Sequence, residues 1–193
     1  VAQLAYALAP GKLTELRERL TALIPDRVPA DAAYEIVLQS YLFFGYAQAI
    51  EAAKIFAICD FPRAVESSDG SAPPSYATLT ERGRKLCSRI YAPNYERLVA
   101  NMKSISPELA EWMVVEGYGR VLSRPGPSGE ERELASIVFL VSSGHPVQLY
   151  SHVRGARNLG ISREKLIAAL AGVDFDSQQQ EMLKVTIAKV YDE

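Results

Sequence analysis

An all-α fold follows from three features of this 193-residue chain. Apolar residues recur at helical spacing in segment after segment. Capping residues and first-turn prolines stand in front of those segments. No run alternates apolar with polar residues as a half-buried strand would. The hydrophobic share of 48% and charged share of 23% are those of an ordinary globule. A net charge of −2 with mixed signs argues against nucleic acid or an anionic membrane as partner. No apolar run reaches the roughly 18 residues that span a bilayer. The apolar N-terminus lacks a basic segment before it, which disfavours a signal peptide. Cys59 and Cys87 have no partner at metal-site or redox-motif spacing, so free thiols in a reducing cytoplasm are the expectation.

The elements follow in order. Residues 11–24 place Leu13, Leu16, Leu20 and Leu23 on one helical face. Pro25 to Pro29 ends that helix, and Asp31 caps a second over 32–44, with Tyr34, Leu38, Tyr41 and Leu42 as its stripe. Gly45 interrupts, and an Ala-rich helix covers 47–58. Residues 60–79 gather Pro, Ser, Gly and Asp and read as a loop or linker. Thr80 caps a helix to Tyr91, and Pro93 opens another to Ile105. Ser106-Pro107-Glu108 is a cap, an N1 proline and a first-turn carboxylate for a helix to Leu122. Ser128 and Glu131 form a capping box for the next. Gly144 stops it, Pro146 starts a helix to Leu159, Ser162 caps 163–171, and the last helix covers 178–191.

A weak internal echo suggests a single domain over 1–193 built from two degenerate helix–Gly–helix repeats. The first occupies 1–59, the loop 60–79, and the second, which carries the chemistry, 80–193. Glu35, Gly45 and Gln48 answer to Glu133, Gly144 and Gln148, and Ala52 stands where the first copy would have its histidine.

The chemistry concentrates between Glu133 and His152, a stretch holding both histidines of the chain. The helix carrying Glu133 is apolar nearly all round, which predicts burial of the carboxylate. Gln148 and His152 lie four residues apart on one face, with Gly155 leaving room beside the imidazole. A buried Glu–His pair across a helix–Gly–helix hinge is an acid/base couple in outline: Glu133 orients, His152 moves the proton. The same pair also reads as a polar tie between two helices, and such ties are the commoner case. A metal site is disfavoured: His145 and His152 are seven residues apart, about 10 Å along a helix, too far for chelation. Gly117-Tyr118-Gly119 follows no strand and makes a poor dinucleotide loop. Arg154 and Arg157 read as a solvated face.

Three stretches together, PELAEW from Pro107, EGYGRVLSRPG from Glu116, and ERELASIVFLVSSGHPVQLYSHVRGARNLGIS from Glu131, carry a family pattern. The chain resembles the carboxymuconolactone decarboxylase family and its alkylhydroperoxidase D-like relatives. That resemblance implies an alkylhydroperoxidase D-like helical fold assembling as a homo-oligomer, a trimer or hexamer, with the site near subunit contacts. It places the family glutamate on Glu133 and the family histidine on His152. The peroxidase branch has cysteines four and seven residues before that histidine; here those positions are Gln148 and His145. Disulfide-based peroxide reduction needs an attacking and a resolving thiol, so that activity does not carry over. The decarboxylase branch usually has a glutamate where this chain has Gln148.

The expectation is a cofactor-independent lyase of the decarboxylase type, acting on a small carboxylic acid or lactone. Glu133 and His152 are its catalytic residues, His145 and Gln148 its substrate-binding residues, with no metal. Two alternatives stand beside it: a non-catalytic, ligand-binding oligomeric member, and a relative of the thiol peroxidases that has lost its active-site cysteines. A redox role for Cys59 or Cys87 is the remaining possibility.

Overall fold

A computed structural model describes residues 1–23, 28–59, 61 and 73–192, and these are helical with no strand. The elements are α1 (Ala2–Ala7), α2 (Leu13–Leu23), α3 (Ala30–Gln39), α4 (Tyr41–Ile58), α5 (Tyr76–Tyr91), α6 (Tyr95–Ile105), α7 (Pro107–Trp112), α8 (Gly129–Ser143), α9 (Pro146–Asn158), α10 (Arg163–Leu170) and α11 (Ser177–Tyr191). A 3₁₀ turn, Ala92–Asn94, precedes α6, and α7 continues as a π-helix over Met113–Leu122.

Two compact units divide the chain, Val1–Arg63 with Gly126–Glu193 in one and Ala64–Pro125 in the other. The sequence-based division at 60–79 differs, because residues 80–125 and 126–193 fall in different units. Most of 60–72 lies outside the described residues, and 76–79 are helix, not loop. The cap of α5 is Ser75, whose hydroxyl accepts from the Thr78 N–H, rather than Thr80. Thr80 instead donates its hydroxyl to the Tyr76 carbonyl one turn back.

The first unit is a helical globule around α8. Ile137 and Phe139 are fully buried there, as are Leu4 and Leu8 of the N-terminal segment and Leu16 and Leu20 of α2. The N-terminal segment thus belongs to the core: Tyr6 donates to the Asp174 carbonyl at 2.6 Å, and Gln3 to the Gly172 carbonyl at 3.0 Å. Gly45 turns the chain inside α4 with φ 78° and ψ 172°, and Gly144 ends α8 with φ 72° and ψ 39°. An L side chain would be strained at either positive φ, so glycine suits both turns. α3 ends at Gln39, ahead of the expected break at Gly45.

In the second unit α5 lies against the π-helix at backbone distance. A Cβ on Gly83 would overlap the Val114 carbonyl, and one on Gly119 the Leu79 carbonyl. Tyr118 and Tyr91 close this contact through a hydroxyl–hydroxyl bond of 2.8 Å.

Candidate active site

α8 begins with the capping box read from the sequence: Ser128 Oγ accepts from the Glu131 N–H, and Glu131 accepts from the Ser128 N–H. Gly144 in the left-handed conformation and Pro146 at the head of α9 fold α9 back along α8. This hairpin carries Glu133 near the start of α8 to the middle of α9. Glu133 Oε2 and His152 Nδ1 are 2.9 Å apart.

Glu133 is 1% exposed, and the His152 side chain 12%. A carboxylate so far from water needs a donor, and the imidazole N–H supplies it. With Nδ1 holding its proton toward Glu133, the neutral ring presents a lone pair at Nε2. Nε2 has no hydrogen-bond partner among the described residues. Phe43 of α4 packs its ring against the imidazole edge, with centroids 6.0 Å apart, and also tilts against Phe139 at 5.1 Å. An apolar wall on one side and a buried carboxylate on the other hold the ring in one orientation.

The neighbouring residue on α8 points elsewhere. Arg132, also buried, donates to Glu35 Oε2 at 3.2 Å and to Gln39 Oε1 at 3.2 Å. Gln39 in turn donates to the Arg132 carbonyl at 2.9 Å and to Ser136 Oγ at 3.0 Å. These bonds fix α3 to the turn of α8 from which Glu133 projects. Glu35, the counterpart of Glu133 in the sequence echo, is therefore the counter-ion of an arginine. Gln48 likewise donates to the Leu8 carbonyl and serves packing.

Of the four residues singled out by sequence, the structure brings two together. His145 and Gln148 are exposed at the N-terminal end of α9, and neither bonds to the pair. Sequence reasoning missed Phe43, whose only signal was its place in an apolar run just before Gly45. It also missed the Arg132–Glu35 pair, signalled by opposite charges within two apolar segments. Arg157 is not a solvated residue: its guanidinium donates to the Val190 carbonyl at the end of α11. Among the described residues no group of three or more His, Cys, Asp or Glu could hold a metal ion, and no helix is long and apolar enough to cross a membrane. Cys59 lies partly exposed at the C-cap of α4 and Cys87 is buried on α5.

The model of the carboxymuconolactone decarboxylase family matches residues 107–188, from the first turn of α7 through Glu133 and His152 into α11. Over those residues the chain is similar to the carboxymuconolactone decarboxylase family. The match includes both members of the buried pair and the glycine hinge between their helices. No curated protein matches the chain. The family match over 107–188 and the helical architecture agree with the reading from sequence.

Proposed function

We propose that the chain is a cofactor-independent enzyme of the decarboxylase type, acting on a small carboxylic acid or lactone through Glu133 and His152. The observation that carries this is the 2.9 Å bond between Glu133 Oε2 and His152 Nδ1, with the carboxylate at 1% exposure. A carboxylate in that place orients the ring through Nδ1 and leaves Nε2 as the working nitrogen. In the reaction the bond from carbon to a substrate carboxylate breaks and CO₂ leaves. Its electron pair passes into a conjugated carbonyl, giving an enolate. The Nε2–H of protonated His152 then delivers its proton to carbon, and water returns a proton to the ring.

His145 and Gln148 are the proposed donors to substrate oxygens, at the end of α9 where backbone N–H groups also favour an anion. The proposal includes assembly into a homo-oligomer, a trimer or hexamer, with a small molecule as substrate. Turnover of a panel of small lactones and carboxylic acids by wild type, His152→Ala and Glu133→Gln tests the assignment. Loss of the general acid is expected to lower kcat about 10²- to 10⁴-fold in His152→Ala. Undiminished turnover in both variants would show that the pair is only a tie between helices.

A further inference from the structure

The second unit holds a feature with no part in the Glu133–His152 chemistry: a cavity of about 600 Å³ between α5, α6 and the α7–π segment. Each helix turns one face toward it. α5 contributes Tyr76, Thr80 and Arg84 at four-residue intervals, and α6 contributes Val99 and Lys103, again one turn apart. Ala110 and Val114 form the apolar floor, both buried. α6 has an apolar and a polar face, yet none of its residues is buried. An amphipathic helix ordinarily buries its apolar stripe; here Tyr95 and Val99 of that stripe line the cleft. The volume falls within the roughly 300–1,000 Å³ of small-molecule sites.

The polar lining favours a ligand with an anionic end. Arg84 and Lys103 make no ion pair among the described residues. Of the two carboxylates in the lining, Glu111 accepts from the Tyr76 hydroxyl, and Glu96 sits in the first turn of α6, where the helix N-terminus offsets its charge. The Tyr95 phenol is pushed up by burial and by the Cys87 thiol, with Arg84 pulling the other way, so the arginine's field reaches into the lining.

We infer that this cleft binds an amphipathic monocarboxylate, its apolar body over Val99, Ala110 and Val114 and its carboxylate at Arg84 and Lys103. This site is separate from the proposed reaction centre and does not depend on it.

Calorimetric titration of the full chain with octanoate, and with 1-octanol as the uncharged analogue, tests the inference. Octanoate is expected to bind, and the Arg84→Gln/Lys103→Gln variant to bind it about tenfold more weakly, the effect of losing charge-assisted bonds. Octanol binding is expected to be the same in both proteins. Val99→Glu, which places a carboxylate in the cleft, should abolish both. His152→Ala should leave octanoate binding unchanged, whatever it does to turnover. Absence of octanoate binding to the wild type overturns the inference, as does equal affinity in the Arg84/Lys103 variant or loss of binding in His152→Ala. Self-association of the chain that Val99→Glu disrupts and octanoate does not would assign the cleft to a second copy instead, and would also overturn it.

Discussion

Glu133 and Arg132 are adjacent on α8, carry opposite charges and are both buried, yet each is matched by a different helix. The pairing follows from helix geometry, since consecutive side chains diverge by about 100°. Arg132 bonds to Glu35 and Gln39 of α3, while Glu133 meets His152 of α9. Removing one partner of a buried ion pair leaves a bare charge in low dielectric. Glu35→Ala is therefore expected to destabilise the fold by about 3–5 kcal/mol, and Glu35→Leu combined with Arg132→Met by much less. Urea unfolding of the two variants checks this, and equal losses would contradict it. The burial of Glu133 was legible in its apolar helix. The partner of Arg132 was not, because it lies 97 residues away and periodicity carries no information about which helices meet.

Helix ends were the most legible elements because a cap is a local interaction. Ser128 with Glu131 and Ser162 with the Lys165 N–H are formed as the sequence indicates. Ser128→Ala should cost about 1 kcal/mol in thermal or urea unfolding. Asp176 and Gln179 form a second capping box, at the head of α11, that places its start one residue before the expected Gln178. The π-helix over Met113–Leu122 left no mark in the sequence, since its residues have the apolar spacing of an ordinary helix. One of its two glycines, Gly119, does have a structural reason. Gly119 lies against the α5 backbone and admits no Cβ, so Gly119→Ala must push the helices apart, at about 1–3 kcal/mol or more. Faster hydrogen exchange across α5 and the π-helix is the expected signature. Unchanged exchange there would contradict the close packing.

At the scale of the molecule, the helical class and the family region were legible, and the grouping of helices was not. Residues 1–9 read as an apolar N-terminus, but Leu4 and Leu8 are fully buried beside α8, and Tyr6 and Gln3 bond to the segment after α10. Contacts joining positions so far apart in sequence have no local signature. Leu4→Ala is expected to cost about 2–5 kcal/mol, the range for emptying a buried leucine site. A loss below about 0.5 kcal/mol, typical of surface substitutions, would place that segment outside the core. The same core holds α8 and α9 in the register that brings Glu133 to His152.

Whether that register sets the chemistry can be read from the nitrogen spectrum of the imidazole. The chain has two histidines, so ¹⁵N-histidine labelling gives two rings, with exposed His145 as the internal reference. In the neutral state His152 is predicted to carry its proton on Nδ1 and to show a lone pair at Nε2, while His145 shows the mixture of an unconstrained ring. A neutral His152 with its proton on Nε2 would contradict the account, because Glu133 would then not be holding the ring for proton transfer.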